Sequence, residues 1–123
     1  MTQIGIIGTG AWASTLGILL ARDEKKTVLW SRTEARAQEL TSARVNERSV
    51  PGVEFPELMT VSASLEESLG ASDLVIIAVP SVTIRENIRK VRSAIPSGSN
   101  VVCATKGIEI ASGKRMSQVI AEE

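Results

Sequence analysis

Four short apolar runs, separated by segments with helical features, constrain the fold of this 123-residue chain more than any other feature of its sequence. The runs span residues 4–7, 27–30, 74–79 and 101–104, and each is bounded by Gly, Pro, Asp, Ser or charged residues. Strands that are apolar throughout are typical of parallel sheets buried on both faces, with helices as the crossovers. The sequence therefore predicts an α/β domain with a doubly wound parallel sheet, each run being a buried strand.

The segments between the runs carry the periodicity and end signals of helices. Apolar residues from Trp12 to Leu20 recur at helical spacing, and charged residues at 22–26 end this helix. A Thr cap and an acid in the first turn predict a second helix over residues 33–44. Further helices are predicted at 66–70, closed by glycine, at 81–92 and at 116–123.

Two of these segments give more specific expectations. We expect Ser81 to cap the helix at 81–92, with four apolar side chains pointing inward: Val82, Ile84, Ile88 and Val91. The segment 45–58 contains Pro51 and Gly52 and a second proline, and this composition predicts a loop without regular structure through its middle.

Missing residue types exclude several kinds of active site. The chain contains no His, no Tyr and a single Cys. A Ser-His-Asp triad, a Cys-His pair, a His-ligated metal and a Tyr-Lys reductase pair are therefore excluded, and we expect no metal site. Any proton transfer within the chain has to use a carboxylate, a lysine, a thiol or water. We interpret Cys103, in the last apolar run, as a small core residue.

Charge and hydropathy exclude other partners. The 14 Lys and Arg residues balance 14 Asp and Glu residues, and only 2% of residues are aromatic, so the chain lacks the basic surface and stacking platform of a nucleic-acid-binding protein. The longest apolar run, residues 74–79, is too short to span a bilayer, and the N-terminal residues do not resemble a secretion signal. A lone cysteine gives no sign of an oxidising compartment. We therefore expect a cytoplasmic protein without a membrane span.

The most informative motif is the glycine-rich turn GTGAWA at residues 8–13, directly after the first apolar run and at the start of a predicted helix. In a dinucleotide-binding βαβ unit, Gly8 permits the tight turn, Gly10 lets the backbone approach a diphosphate, and the small Ala13 permits close packing of helix on strand. The diphosphate then lies at the helix N-terminus, where unpaired N–H groups and the helix dipole favour an anion. The motif predicts a dinucleotide-binding domain over residues 1–123; a merely structural glycine turn is the alternative.

The end of the second apolar run indicates which dinucleotide is bound. An NAD-specific site commonly has Asp or Glu there, which accepts hydrogen bonds from the ribose 2′-hydroxyl. This chain has Ser31, Arg32 and Thr33 instead. The Arg32 guanidinium is suited to pair with a 2′-phosphate, and Ser31 or Thr33 would add a donor, so NADP(H) is favoured and NAD(H) is the alternative cofactor. The other interpretation of Arg32 is a solvated residue in front of a helix.

Two further strand ends are predicted at the same edge of the sheet, where open α/β sheets bind their ligands. Pro80 and Ser81 follow the third run, next to the expected position of a nicotinamide ribose. Lys106 and Gly107 follow the fourth run. A lysine in this place is suited to hold a phosphate or a polarised carbonyl, although an ordinary solvated strand end is the commoner role.

Seven segments, taken in order, resemble the bacterial NAD(P)-dependent glycerol-3-phosphate dehydrogenases. They are GTGAWA at 8–13, VLWSR at 28–32, RVNER at 44–48, VPG at 50–52, AVPS at 78–81, KGIE at 106–109 and MS at 116–117. The resemblance spans essentially the whole chain, and no single segment carries it.

Three positions depart from the pattern of this family. Ala11 stands where Ser is frequent, Ala13 where Gly is usual, and Ser49-Val50 where an aromatic-Leu pair is common. We expect the first change to remove a side-chain hydrogen bond to the cofactor and the third to loosen the long loop.

The resemblance implies reversible hydride transfer between NAD(P)H and dihydroxyacetone phosphate, which gives sn-glycerol 3-phosphate for phospholipid synthesis. It implies that Ala11, Trp12 and Arg32 hold the cofactor and that Lys106 contacts both cofactor and substrate. In this family a helical C-terminal domain supplies the lysine that transfers the proton, so no catalytic residue is expected within residues 1–123. We therefore expect an incomplete Rossmann domain, a fragment that is inactive alone and has an exposed sheet edge. A homodimer of the full-length enzyme is compatible with the sequence.

Two other functions stay open at this point. Another Rossmann-type hydroxyacid or ketoacid reductase would share the first strands, although the Trp after the second glycine and the KGIE segment are not expected there. A stand-alone module that senses NAD(P)H is the second alternative, because most of the chemistry visible in the residues is binding chemistry. Lys106 is a feature that a sensor does not need.

Overall fold

A computed structural model describes residues 3–123 and contains five parallel strands in one sheet, with helices on both faces. Residues 1 and 2, which the predicted domain includes, lie outside the described part. The strands and α-helices, in chain order, are β1 (Gln3–Ile7), α1 (Ala11–Arg22), β2 (Lys26–Trp30), α2 (Glu34–Ala43), β3 (Val45–Asn46), β4 (Val50–Glu54), β5 (Met59–Ser62), α3 (Leu65–Leu69), β6 (Ser72–Ile77), α4 (Ile84–Val91), β7 (Asn100–Cys103) and α5 (Met116–Glu122).

The sheet has the strand order β5-β2-β1-β6-β7. The chain builds outward from β1 through β2 to β5 and then crosses back to β6, on the other side of β1. The helices that follow β1 and β6 pack on opposite faces of the sheet. A crevice therefore opens between the carboxyl ends of these two strands, as in doubly wound folds generally. This topology confirms the predicted Rossmann-type α/β fold.

Helix α1 packs closely on the sheet, with small residues at several of its buried positions. Ala13, Gly17 and Ala21 are buried together with the larger Ile18. Of the large apolar residues that indicated this helix, Leu16 and Leu20 pack against the core, whereas Trp12 is 50% and Leu19 is 56% exposed. The reason for the small residues is the short distance between helix and sheet. A Cβ added at Gly17 would lie 2.7 Å from the Cδ1 atom of Leu29 in β2.

The segment 45–58 is more regular than expected. It contains β3 and β4, which pair as an antiparallel hairpin, and β4 includes both Pro51 and Gly52. The paired positions are Val45 with Glu54 and Asn46 with Val50, so residues 51–53 bulge between them. A proline in such a bulge costs no hydrogen bond of the sheet, because the bulged residues are unpaired. The prediction of an irregular middle was wrong for this reason. Strand β5 was not predicted, because its MTVS sequence is short and half polar.

The segment predicted as one helix over 81–92 divides into a 3₁₀ turn, α4 and a second 3₁₀ turn. Ile84, Ile88 and Val91 are buried as expected, but Val82 is 88% exposed, because the tighter first turn moves it off the buried stripe. Within residues 3–123, Ser81 makes no capping hydrogen bond, so its expected capping role is wrong. The Thr83 hydroxyl instead donates to the Pro80 carbonyl oxygen at 2.8 Å.

The other helix predictions hold closely. Thr33 caps α2 by accepting from the Arg36 backbone N–H at 3.2 Å. The helix predicted at 66–70 is α3, capped by Ser64 at its start. Helix α5 buries Met116 and Val119, as its periodicity indicates.

Strand β7 is an edge strand, since it pairs only with β6 among the described residues. Val101 is 42% and Val102 is 45% exposed. The expectation that this run is buried on both faces was therefore wrong, and the expected exposed edge is confirmed. Cys103 is half-buried at the margin of the core formed with α4 and α5, rather than inside it.

Candidate functional site

The turn after β1 is held between the ends of β2 and β6. The Gly8 N–H donates to the Trp30 carbonyl oxygen at 3.2 Å. Gly8 has a φ of +129°, which residues with a Cβ rarely adopt, and a Cβ there would lie 2.3 Å from the Ala78 carbonyl oxygen. Ala13 is fully buried beneath the turn. Glycine at position 8 is therefore required by the backbone itself.

Gly10 differs, because its backbone does not require glycine. Its φ of −79° and ψ of −167° are ordinary extended values, and a Cβ there would have no atom of the described residues within 4 Å. Gly10 instead leaves space in front of α1, where the first N–H groups of the helix lack an intrahelical partner. Within the described helix, no side chain caps the N-terminus of α1 by a hydrogen bond, and its first turn contains no acidic residue. The space and the positive helix end together fit a diphosphate.

Two clefts extend in opposite directions from this turn. One of about 440 Å³ lies toward β7 and the other, of about 400 Å³, lies toward β2. Gly10, Val79 and Pro80 line both clefts, which therefore adjoin at the carboxyl edge of the sheet, and the two clefts together are called the groove. Two clefts that adjoin at a helix N-terminus have the form that an extended dinucleotide requires.

The β2 side of the groove is basic. Arg32 lines it with a half-exposed side chain, and its Nη2 atom lies 3.5 Å from an oxygen of Glu86 on α4. Arg36 and Arg48 line the same cleft and both contact Glu39. Neither of these two arginines was predicted as a site residue, although Arg48 belongs to the RVNER segment. Three guanidinium groups on one side of a cleft suit a phosphate group.

The serine expected beside Arg32 is not available as a donor. Ser31 is 2% exposed, and its hydroxyl donates to the Thr33 carbonyl oxygen at 2.8 Å. The Thr33 hydroxyl accepts from the first turn of α2. Of the two expected donors, Ser31 is therefore not available, because its hydroxyl holds the turn between β2 and α2, and the exposed Thr33 is left.

The β7 side of the groove contains Ala11, Trp12 and Lys106. The Trp12 indole N–H donates to the Ala104 carbonyl oxygen at 3.0 Å, which ties the start of α1 to the end of β7. The Thr105 hydroxyl accepts from the Val79 N–H at 3.1 Å and lies 3.0 Å from the Val79 carbonyl oxygen. Thr105 therefore fixes the backbone just before the exposed Lys106. This contact was also missed from the sequence.

Asn46 connects the β3–β4 hairpin to the glycine turn. It is fully buried, and its side-chain N–H₂ group donates to the Thr9 carbonyl oxygen at 3.0 Å and to the Ser14 hydroxyl at 2.9 Å. Its side-chain oxygen accepts from Arg36 at 3.0 Å. The long segment therefore supports both the turn and the basic side of the groove. Its only signal in the sequence is the asparagine in the RVNER segment.

Several predicted site residues meet at one edge of the sheet. Those that line the groove are Gly8, Gly10, Ala11, Trp12, Arg32 and Lys106. Ala13 lies below them and supports the turn without reaching the groove surface.

Across residues 3–123 there is no group of three metal-ligating side chains. No helix of the described chain is long and apolar enough to cross a membrane.

An open parallel sheet whose first crossover begins at a glycine turn, with a groove across its topological switch point, defines a dinucleotide-binding domain of the NAD(P)-dependent oxidoreductase type. Within that class, the family model described as the NAD-dependent glycerol-3-phosphate dehydrogenase N-terminus matches residues 3–123. The chain therefore belongs to the glycerol-3-phosphate dehydrogenase family, which confirms the resemblance seen in the seven sequence segments.

Curated relatives and a solved structure agree with this assignment. A glycerol-3-phosphate dehydrogenase [NAD(P)+] from Dehalococcoides mccartyi (strain BAV1) is 43% identical over 124 residues, which cover 100% of this chain and 34% of the relative. The enzyme of the same name from Chlorobium limicola is 40% identical, over 98% of this chain and 36% of the relative. The structure of glycerol-3-phosphate dehydrogenase from Coxiella burnetii superposes with a TM-score of 0.91 at 31% identity, over 99% of this chain and 37% of that one. The chain thus spans about a third of the length of these proteins.

Proposed function

We propose that this chain binds NADP(H) in preference to NAD(H), as the cofactor-binding part of an enzyme that interconverts dihydroxyacetone phosphate and sn-glycerol 3-phosphate. The observation that carries the proposal is the pair of adjoining clefts on either side of the glycine turn, one lined by Arg32 and the other by Lys106. Its support is the family to which the chain belongs and the NAD(P)+ in the names of its relatives.

Each part of the groove has a matching part of the cofactor. Arg32 pairs with the 2′-phosphate, a contact that NAD(H) does not offer. The first N–H groups of α1, which adjoin the open space at Gly10, bind the diphosphate. Ala11 and Trp12 then form the side of the cleft that receives the nicotinamide half. The bound cofactor supplies or accepts the hydride.

Lys106 contacts the nicotinamide half of the cofactor and also acts on the substrate, from the rim of the same cleft. Its ammonium group donates hydrogen bonds to the substrate and stabilises the negative charge that develops on the ketone oxygen. It also holds the substrate against the nicotinamide, which removes much of the entropic cost of bringing the two together. We assign the proton transfer to a lysine in the part of the protein outside this chain, as the family resemblance implies.

The same proposal covers the whole protein. Its partners are small molecules, its product serves glycerophospholipid synthesis, and it works in the cytoplasm without a nucleic-acid partner. A homodimer of the full-length enzyme fits this proposal.

Fluorescence of Trp12 tests the cofactor half of the proposal, because this indole lines the β7 side of the groove and is half exposed, whereas Trp30, which lines the β2 side, is buried. Titration with NADPH is expected to give saturable quenching at lower concentration than NADH. Arg32→Ala is expected to weaken NADPH binding by about tenfold to a hundredfold, the value of a lost charge-assisted hydrogen bond, and to leave NADH binding nearly unchanged. Arg22→Ala, at the far end of α1, is the matched control.

The outcomes separate the alternatives. Equal losses for NADPH and NADH would show that Arg32 does not recognise the 2′-phosphate. Quenching that saturates with neither cofactor would contradict cofactor binding altogether. In the full-length protein, reduction of dihydroxyacetone phosphate no faster than that of 2-ketoacids would favour another reductase. Cofactor binding without turnover of either substrate would favour a sensing module.

A further inference from the structure

The segment that carries Lys106 is fastened to α4 by two parallel hydrogen bonds. The Arg85 Nε atom donates to one oxygen of Glu109 at 2.9 Å, and its Nη2 atom donates to the other at 2.8 Å. Both side chains are about one-fifth exposed. Because the guanidinium and the carboxylate are planar, this two-point contact fixes orientation as well as distance.

Glu109 is also the centre of a closed loop. Its N–H donates to the Lys114 carbonyl oxygen at 2.9 Å, and its own carbonyl oxygen accepts from the Gly113 N–H at 2.7 Å. The Ser112 hydroxyl donates to its carboxylate. These bonds tie the loop to Glu109, so Lys106 lies between two held residues, Thr105 on one side and Glu109 on the other.

Helix α4 is a rigid base for this contact. Ile84 and Ile88, on either side of Arg85, are buried in the core below the sheet. Arg85 also binds Glu122 and Glu123 of the C-terminal helix segment. Hydrogen bonds from Arg85 and from Ser112 lower the pKa of Glu109 to about 2, so its carboxylate stays charged throughout the neutral range.

We propose that Arg85 is a positioning residue for Lys106, which it holds at the rim of the groove through Glu109. Arg85 itself does not line either half of the groove, so it acts without touching cofactor or substrate. The inference rests on the proposed role of Lys106 at the cofactor. If the contact were only a partly exposed ion pair, it would contribute little to stability and nothing to binding.

A double-mutant cycle tests this role in the chain as it exists. The dissociation constant of NADPH is measured by Trp12 fluorescence for wild type, Arg85→Gln, Lys106→Met and the double variant. We expect Arg85→Gln and Lys106→Met each to weaken binding by about fivefold, a size ordinary for coupled neighbours. In the Lys106→Met background, the further change R85Q is expected to have less than about a twofold effect.

Two other variants separate positioning from charge and from stability. Arg85→Lys keeps the charge but not the two-point contact, and is expected to bind NADPH as weakly as R85Q. Arg89→Gln is the matched control, because Arg89 lies one turn further along α4 and binds Glu123 twice, but not Glu109. It is expected to leave the dissociation constant unchanged. If R85Q does not fold, Glu109→Gln replaces it in the cycle.

Four results would overturn the inference. They are an equal effect of R85Q with and without Lys106, a loss in R89Q as large as in R85Q, unchanged binding in both R85Q and E109Q, and normal NADPH binding by K106M. In the last case Arg85 has no binding role through Lys106, whereas the NADP(H) proposal is still decided separately by Arg32→Ala.

Discussion

Gly10→Ala is the sharpest test of the groove, because the two glycines of the turn differ in what a methyl group would meet. At Gly8 a Cβ would lie 2.3 Å from a backbone oxygen, on a residue with a φ of +129°. At Gly10 the Cβ would reach open space, on a backbone that any residue adopts. Gly10→Ala is therefore expected to fold normally and to bind NADPH poorly, and Gly8→Ala is expected to be destabilised.

The magnitudes follow from these contacts. For Gly8→Ala, backbone strain of about 1–3 kcal/mol and a comparable cost of overpacking are large against the roughly 5–15 kcal/mol of a typical domain. For Gly10→Ala, the free energy of unfolding should change by less than about 1 kcal/mol, and it should rise if anything, because alanine restricts the unfolded chain. The added methyl group fills the space before α1, so the diphosphate loses at least one charge-assisted hydrogen bond. That loss is about 1.5–3 kcal/mol, or about tenfold to a hundredfold in Kd.

Urea unfolding followed by circular dichroism measures the first effect, and NADPH titration followed by Trp12 fluorescence measures the second. Gly98→Ala is the control, because a Cβ at Gly98 also has no described atom within 4 Å but lies outside the groove. It should change neither stability nor binding appreciably. Unchanged NADPH affinity in Gly10→Ala would refute the placement of the diphosphate, and a wild-type unfolding midpoint in Gly8→Ala would refute the steric argument.

Two further predictions concern the support of the site. Asn46→Ala leaves the Thr9 carbonyl oxygen and the Ser14 hydroxyl without their buried partner, so it should lower the free energy of unfolding by about 2–3 kcal/mol and weaken NADPH binding. Gln38→Ala, at an exposed position, is the control and should do neither. Equal urea midpoints for the two variants would contradict this prediction. Because the pKa of Glu109 is lowered to about 2 from 4.5, its ion pair stabilises the fold fully above the unfolded-state pKa, and this contribution is lost as the pH falls toward 2. The difference in urea midpoint between wild type and Glu109→Gln should therefore be constant from pH 7 to about 5 and shrink below it, and a difference that stays constant down to pH 2 would show that Glu109 is not the titrating group.

Much of the fold could be predicted because its signals are local. A buried parallel strand needs a continuous apolar run, and a tight turn before a helix needs glycine at Gly8, so both are visible within a few residues. The same holds for the Thr33 cap of α2, whose hydrogen bond spans three residues. Local signals failed where burial depends on neighbours. Val101 and Val102 have the composition of core residues, yet β7 has a strand on one side only among the described residues.

The composition of the groove could be predicted only in part, because its supports come from distant segments. Asn46 reaches the Thr9 carbonyl across 37 residues, and Thr105 reaches Val79 across 26. No periodicity or spacing in the chain reports such a contact.

The order of apolar runs and the glycine turn were enough to determine a doubly wound α/β domain, and the seven segments were enough to indicate its family. Only the tertiary structure decided which side chains share the groove. Arg36 and Arg48 line it, the Ser31 hydroxyl is hydrogen-bonded within the turn after β2, and Arg85 binds the Lys106 segment to α4. The physical reason is that strands are selected by burial along the chain, whereas a site at the carboxyl edge of a sheet is assembled from separate strand ends and helices that meet only after the sheet has formed.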